Sequence, residues 1–382
     1  MTFIYNTNTI RFTARRIRQI SCCAVALLTL CAPAHAQPLS TPTAVQISDG
    51  FDSAGERLRD MGFTGVIALA KDGAAPVYAG FGENAAADGL PDKDTLLDVG
   101  SITKTFTGAA AVKLVDQGKL SMADRLSKYF PDAPADKANI SVHQLLTHSA
   151  GFAPALGEDL EFLSRDEFLN RAMASDLLFE PGSGYEYSNV GFSLAAAIIE
   201  QVSGKSYEAF LREELLKGAG VDAVGYEKAF DARKSLLMQD GKAIAEGSWG
   251  GKSHWALIGN GGLIATAEDM IKFRRAFAGG DIVSPAAVEL AQAPMQREGE
   301  NAPGHYGYGL VVMEDPFFGR SYWHNGGNGN FFANWTDYAD HGLIIFTASN
   351  NPEVNADIAA MIVTEELFGV KMMRKAPRDQ PE

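Results

Sequence analysis

The chain has 382 residues, a formal net charge of −14 and three cysteines. This length is sufficient for an ample hydrophobic core. The acidic balance argues against binding to nucleic acid or to anionic lipid, because both partners select clusters of Lys and Arg. All three cysteines lie within the first 36 residues, so the rest of the chain can form no disulfide, thiolate zinc site or cysteine nucleophile. They are Cys22, Cys23 and Cys31.

Residues 1–36 are predicted to be a secretory signal peptide. A positive region without acidic residues precedes the apolar run 21–30, and Ala34-His35-Ala36 is a small-x-small cleavage site. The apolar run is shorter than the roughly 20 residues of a membrane span. We therefore expect an exported protein, periplasmic or secreted, that begins at Gln37. Loss of the four leader arginines takes its formal charge from −14 to −18. They are Arg11, Arg15, Arg16 and Arg18.

The remainder is predicted to be a single domain over residues 51–370, because no linker or repeat interrupts it. Residues 37–50 are expected to be an extended lead-in and residues 371–382 a flexible tail. Strand signals cluster near both ends of the domain, and helical patterns fill the middle. The signals lie at 64–70, 76–81, 308–313, 331–336 and 342–348.

This distribution predicts an α/β (α+β) fold in which one antiparallel sheet is closed by the two ends of the domain. The sheet and its helices are expected over about 51–100 and 256–370. An inserted all-helical lobe is expected over about 101–255. A site between two such lobes is a common arrangement.

Ser101-Ile102-Thr103-Lys104 is the first candidate for chemistry. The segment opens a predicted helix, and residues three apart lie on one helix face, so Lys104 can reach Ser101. The helix amino terminus favours negative charge on the reacting oxygen and helps Lys104 act as a neutral base. The alternative is a serine N-cap followed by an ordinary helical lysine.

Tyr187-Ser188-Asn189 is the second candidate. A tyrosine hydroxyl can shuttle a proton when cations stand nearby, and an asparagine amide can orient both a lysine and a substrate amide. The alternative is that Asn189 caps a helix and Tyr187 belongs to the core.

The third candidate is His324-Asn325-Gly326-Gly327, placed just before the predicted strand at Phe331. Glycines let a substrate approach the backbone closely, and a backbone N–H there can serve as an oxyanion donor. His305-Tyr306-Gly307 is a competing match, but it carries one glycine rather than a cluster. The alternative for either histidine is a hydrogen-bonded turn residue.

The conjunction of these motifs resembles the serine β-lactamase and penicillin-binding protein superfamily. The branch is the one that holds class C β-lactamases, D-Ala-D-Ala peptidases and family VIII esterases. The similarity runs from about Asp52 to Gly369. Four blocks carry it: GSITKTFTG at 100–108, LLTHSAGF at 145–152, FEPGSGYEYSN at 179–189 and GGLIATAED at 261–269.

The resemblance implies a β-lactamase/transpeptidase-like fold and a serine hydrolase that needs no metal or organic cofactor. It implies Ser101 as the acylated nucleophile, Lys104 as its partner, and Tyr187 as general base or proton shuttle. Asn189 would hold lysine and substrate, and His324 and Gly326 would stand at the third motif. The oxyanion hole would consist of the Ser101 and Gly327 N–H groups. The partner would be a small-molecule or peptide substrate.

One departure from the family bears on the substrate. β-Lactamases usually carry Lys-Thr-Gly at the third motif, and none occurs in this chain. Lysine is a permanent cation suited to a substrate carboxylate, whereas His324 is expected to be only partly charged. Esters, D-amino-acid peptides or amides are therefore implied at least as readily as β-lactams. Two alternatives stay open: a β-lactamase proper, and a non-catalytic member that binds peptidoglycan or a protein partner.

Overall fold

The computed structural model describes residues 2–6, 37–83, 85–159, 161–226, 230–238, 240–244 and 254–375. Nearly all of the predicted signal peptide lies outside these ranges. No helix in the described ranges combines the length and apolar character that a membrane span requires.

An eight-stranded sheet dominates the described part of the chain, with strand order β3-β2-β11-β10-β9-β8-β7-β6. Every pairing between its neighbours is antiparallel, as the sequence predicts. The β2–β11 pair joins the two ends of the domain, with Ala68 opposite Phe346. The strands are β2 (Gly65–Lys71), β3 (Val77–Phe81), β6 (Gln296–Arg297), β7 (His305–Tyr306), β8 (Val311–Asp315), β9 (Gly319–Gly327), β10 (Phe332–Tyr338) and β11 (Leu343–Ser349).

Two short sheets complete the strands: β4 (Leu97–Asp98) pairs with β5 (Ile264–Ala265), and β1 (Thr2–Asn6) pairs with β12 (Lys371–Lys375). The helices are α1 (Ala44–Asp60), α2 (Thr103–Asp116), α3 (Leu126–Tyr129), α4 (Val142–Leu146), α5 (Arg165–Ala174), α6 (Asn189–Ser203), α7 (Tyr207–Phe210), α8 (Ala267–Ala278), α9 (Pro285–Ala291) and α10 (Ala356–Phe368). Most of the helices between β4 and β5 fall where the sequence predicts the helical lobe, and the division into lobes stays a prediction.

The main sheet is buried on both faces, which explains the near-continuous apolar runs of its central strands. Successive side chains of a strand point to opposite faces. Val66 of β2 therefore joins the core that contains α2, α6 and α8, while Ile67 joins the core beneath α1 and α10. Stacking of Phe106 on Phe273, with ring centroids 4.1 Å apart, links α2 to α8 and seats the helix that follows Ser101.

The predicted lead-in is wrong over its second half, because α1 begins at Ala44. Thr43 caps this helix through a capping box with Gln46. The apolar face of α1 then packs against α10, where Gly50 lies against the backbone of Glu366. Residues 37–50 are mostly polar and contain two prolines, so their sequence did not indicate a helix.

The predicted flexible tail contains a strand in the unprocessed chain. Its partner strand belongs to the predicted signal peptide, so the tail of the processed chain stays a prediction. Lys371–Lys375 form β12, whose backbone pairs in parallel with Thr2–Asn6. Backbone pairing of this kind needs no apolar period. The remaining tail residues, 376–382, lie outside the described ranges.

Candidate active site

Ser101 lies in a tight turn that joins β4 to α2. The turn Gly100–Ile102 is a single 3₁₀ turn, and α2 follows from Thr103. Gly100 adopts φ +50°, a conformation that favours glycine, and its N–H donates to Asp98 Oδ1 at 2.8 Å. The side chain of Ser101 makes no capping hydrogen bond, so the N-cap alternative is not what the structure shows.

Lys104 is completely buried one turn further along the same face. Its Nζ lies 3.1 Å from Ser101 Oγ, 2.7 Å from Asn189 Oδ1 and 2.7 Å from the Asn260 carbonyl oxygen. The ring of Tyr187 lies over the same nitrogen, with its centroid 4.7 Å away. The structure thus gathers Ser101, Lys104, Tyr187 and Asn189 at one point.

The Tyr187–Asn189 segment is held by the loop that precedes α5. Ser188 is the N-cap of α6, and its Oγ donates to the Ala153 carbonyl at 2.7 Å. Asn189 is therefore the first helical residue rather than the cap, and its N–H donates to the Pro154 carbonyl at 2.8 Å. This leaves the Asn189 amide oxygen directed at Lys104.

The third motif forms the end of β9 and, as expected, precedes the next strand, β10. The strand ends directly on the nucleophile turn. A methyl group on Gly326 would meet the Val99 carbonyl oxygen and lie 2.5 Å from Ser101 N. A methyl group on Gly100 would lie 2.5 Å from Gly327 N. The backbone amides of Ser101 and Gly327, the expected oxyanion donors, therefore meet at this contact.

A buried carboxyl group fixes the same end of β9. Asp357, in the first turn of α10, accepts hydrogen bonds from Asn325 Nδ2 at 3.1 Å and from Asn334 Nδ2 at 2.8 Å. Burial raises the pKa of Asp357, and the two amide hydrogen bonds oppose that rise. The residue between His324 and Gly326 is thereby tied to both β10 and α10.

His324 does not behave as the partly charged group that the sequence suggested. Its side chain is buried, with Nε2 2.8 Å from the Tyr306 hydroxyl and Nδ1 2.5 Å from the Asn325 carbonyl oxygen. Burial, reinforced by the charge of Lys104, lowers the pKa of His324 to about 3. The imidazole is therefore neutral at pH 7. The competing His305 is half-buried on β7, next to Tyr306.

Sequence reasoning missed three residues that surround this cluster. Asn260 supplies the third acceptor of Lys104, Tyr306 bonds His324, and His148 packs on Tyr187. His148 stands in the LLTHSAGF block and Asn260 just before the GGLIATAED block, so both carried a signal. Tyr306 belongs to the competing motif and could be found only from its contacts.

A small cavity opens beside Asn189. It is lined by Asp159, Asn189 and Asn260 together with apolar side chains that include Leu156, Leu163 and Phe168. The Asp159 side chain is exposed at the edge of this cavity. No Lys or Arg nitrogen of the described residues lies within 4 Å of the Asp159 carboxylate.

Nothing in the described part of the chain brings three His, Cys, Asp or Glu side chains together in a group that could hold a metal ion.

Comparison with known proteins places the site in a family. The Beta-lactamase family profile matches residues 54–367. Penicillin-binding protein 4* of Bacillus subtilis is 25% identical over 359 residues, which cover 87% of this chain and 76% of that protein. D-alanyl-D-alanine-carboxypeptidase/endopeptidase AmpH of Escherichia coli is 27% identical over 271 residues, 68% of each chain. The structure of a D-amino acid amidase from Ochrobactrum anthropi superposes with a TM-score of 0.70 at 20% identity, covering 84% of this chain and 99% of the amidase.

Proposed function

Because this chain belongs to the Beta-lactamase family of serine hydrolases, we propose that it cleaves esters or D-amino-acid amides and peptides through an acyl-enzyme on Ser101. In this proposal Lys104 and Tyr187 move the protons, and Asn189 holds the lysine and the substrate. The Ser101 and Gly327 N–H groups hold the oxyanion.

The main support for this proposal is the set of hydrogen-bond partners around Lys104 Nζ. Asn189 Oδ1 and the Asn260 carbonyl can only accept hydrogen bonds, so they occupy two N–H groups of the amine. A neutral amine has two N–H groups and one lone pair. The third direction faces Ser101 Oγ at 3.1 Å, where the lone pair can take the hydroxyl proton. A general base for Ser101 is thus present without any histidine–carboxylate pair.

The reaction follows from these positions. Ser101 Oγ bonds to the substrate carbonyl carbon as its proton passes to the Lys104–Tyr187 pair. The resulting oxyanion accepts hydrogen bonds at the Ser101–Gly327 contact, and the bond to the leaving group breaks as Tyr187 returns the proton to it. Water then attacks the acyl ester, the same pair takes its proton, and Ser101 recovers its hydrogen.

The charges around the site favour substrates that carry an amine rather than a carboxylate. The neutral His324 offers no cation at the third motif. Asp159 lines the adjoining cavity without an ion-pair partner among the described residues. A substrate ammonium group could pair with this carboxylate, whereas a β-lactam carboxylate would be repelled by it. We therefore propose amides and esters of amino acids with a free amine, and the D configuration is taken from the carboxypeptidase and amidase to which the chain is similar.

The proposal includes export, as the leader sequence predicts. Amino-terminal sequencing of the protein secreted by an expressing bacterium should begin at Gln37. A protein that retains the leader would contradict this part of the proposal alone.

Intact-protein mass spectrometry after brief exposure to a p-nitrophenyl ester and, separately, to a penicillin tests the acyl-enzyme. We expect the mass of an acyl group on the wild type and ester turnover in parallel. Ser101→Ala should abolish both, lowering the rate by at least roughly a thousandfold. Ser121→Ala, at an exposed serine far along the chain, is the matched control and should leave both unchanged.

The substrate class is tested with D-phenylalanine p-nitroanilide, its N-acetyl derivative and the L-enantiomer. Asp159→Asn should reduce kcat/KM for the free amine and leave the N-acetyl compound unaffected. Rapid turnover of penicillins by the wild type would instead establish a β-lactamase. Absence of adducts and of turnover with every reagent would favour the non-catalytic binding protein.

A further inference from the structure

His148 is unusual among the described residues in both backbone and side chain. It adopts φ +58°, in the left-handed region, and among the described residues it is the one other than glycine with a positive φ. Its side chain is buried, although the catalytic proposal gives it no task. Unfavourable backbone conformations persist where the surroundings impose them, and they concentrate at functional sites.

The backbone and the ring of His148 form hydrogen bonds with the residues on both sides of Tyr187. The carbonyl oxygen of His148 accepts the N–H of Glu186 at 3.0 Å. Its Nδ1 accepts the N–H of Ser188 at 3.0 Å. One residue therefore holds the backbone on both sides of Tyr187, and the left-handed conformation lets carbonyl and imidazole reach the same short segment.

The imidazole also supports the phenol ring directly. The ring centroids of His148 and Tyr187 are 4.3 Å apart, and those of His148 and Tyr306 are 4.4 Å apart. Tyr306 in turn bonds His324 at the third motif. His148 thus fills the space between the second and third motifs and leaves the Tyr187 ring over Lys104.

The tautomer of His148 follows from these contacts. Because Nδ1 accepts a hydrogen bond from a backbone N–H, the single proton of the neutral ring is on Nε2. Burial, followed by the charges of Lys104 and His324, lowers the pKa of His148 well below its usual value. The ring is neutral and does not contact Ser101, so it is suited to hold Tyr187 rather than to exchange protons with substrate.

We propose that His148 is a positioning residue that fixes Tyr187 over Lys104 through the Ser188 N–H hydrogen bond and the contact between the His148 and Tyr187 rings. The inference rests on the proposed role of Tyr187 in proton transfer. It predicts that His148 affects kcat through Tyr187 and has little effect on KM, since displacement of a catalytic group by about 1 Å can cost on the order of a hundredfold in rate.

Two substitutions separate the contribution of the Ser188 N–H hydrogen bond from that of the His148 ring. His148→Asn retains an acceptor at the Nδ1 position and tolerates the left-handed backbone, but removes the ring. His148→Gly also suits the backbone and removes both acceptor and ring. We expect kcat to fall roughly tenfold for His148→Asn and roughly a hundredfold for His148→Gly, with KM within about twofold of the wild type. His143→Asn, in the neighbouring helix α4 and bonded to Tyr308, is the matched control and should retain kcat.

A double-mutant cycle with Tyr187→Phe gives the decisive readout. If His148 acts by positioning the Tyr187 hydroxyl, His148→Gly should cause little further loss of kcat in the Tyr187→Phe background. The inference would be overturned if the double variant lost kcat by the product of the two single-variant losses. It would also be overturned if His148→Gly kept wild-type kcat and showed only a lower Tm. A Tyr187→Phe variant with wild-type kcat would instead overturn the proposed role of Tyr187, so the two failures are distinguishable.

Discussion

The Tyr306 hydroxyl lies 2.8 Å from His324 Nε2, and both side chains are buried. His324 Nδ1 faces the Asn325 carbonyl, which can only accept, so Nδ1 carries the proton and Nε2 accepts from Tyr306. The third motif therefore presents a neutral ring that is engaged at both nitrogens, in contrast to the free cation of a Lys-Thr-Gly motif.

Tyr306→Phe should leave His324 Nε2 buried without its donor. An unsatisfied buried acceptor costs about 1–3 kcal/mol, so we expect the free energy of unfolding in urea to fall by that amount. Tyr338→Phe removes a similarly buried hydroxyl, which bonds Thr364 at 3.0 Å far from the site. Both variants should lose stability, but only Tyr306→Phe should lose activity. Equal activities would show that the Tyr306–His324 pair is purely structural.

Stability should decline as the pH falls below about 6.5, because His324 is neutral in the folded protein. Its pKa is lowered to about 3 by burial, whereas the unfolded chain binds a proton near pH 6.5. Between these values the unfolded state holds more protons, so acidification favours unfolding by about 1.4 kcal/mol per pH unit for this group.

His324→Gln should remove that contribution and flatten the pH dependence of the free energy of unfolding between pH 6 and pH 4. Burial raises the pKa of Asp357, which contributes in the opposite sense, so the difference between variant and wild type is the quantity to compare. Parallel curves for the two proteins would contradict the assignment to His324.

Gly326→Ala should separate β9 from the nucleophile turn, since the new methyl group would lie 2.5 Å from Ser101 N. The turn and the strand must then move apart, and the two expected oxyanion donors with them. Loss of one such donor costs on the order of a hundredfold to a thousandfold in kcat, and we expect a loss of this size. Gly329→Ala, in the following turn, meets no atom within 4 Å of its new methyl group and should retain activity. Wild-type kcat in Gly326→Ala would rule out the oxyanion assignment.

Asn189→Asp should move the activity optimum to higher pH. A carboxylate 2.7 Å from Lys104 Nζ favours the ammonium form of the lysine and reduces the fraction of neutral base at a given pH. The rise of kcat with pH should therefore occur later than in the wild type. Asn189→Ala, which adds no charge, should lower kcat without this displacement, and an unchanged pH profile in Asn189→Asp would argue against Lys104 as the base.

The sequence predicted that Lys104 can reach Ser101, and the structure places Lys104 Nζ 3.1 Å from Ser101 Oγ. It could not predict which acceptors complete the lysine environment. Asn260 acts through its backbone carbonyl, and any residue type can supply that group. It also could not predict the neutrality of His324, since this follows from burial against Tyr306 and Tyr187 and from the nearby charge of Lys104.

The strands and helices also divide into those that the sequence could predict and those that it could not. Apolar, β-branched runs predicted β2, β10 and β11, which are buried on both faces. The sequence of β9, Gly319–Gly327, begins and ends in glycine and is rich in polar residues, so its strand state comes from pairing with β8 and β10. The helix α1 was missed because its capping box lies in a proline-containing polar stretch.

The pairing of β2 with β11 has a consequence for how the chain acquires its structure. These neighbours are separated by almost the whole domain, and closing so long a loop imposes an entropic cost before any contact is gained. Proteins dominated by such distant pairings fold slowly. During synthesis the segment that contains Ser101 emerges long before β9 and β11, so Ser101 meets Gly326 and Gly327 only after the carboxy-terminal strands have been made. A nascent or truncated chain is therefore expected to lack the hydrolase activity proposed for Ser101.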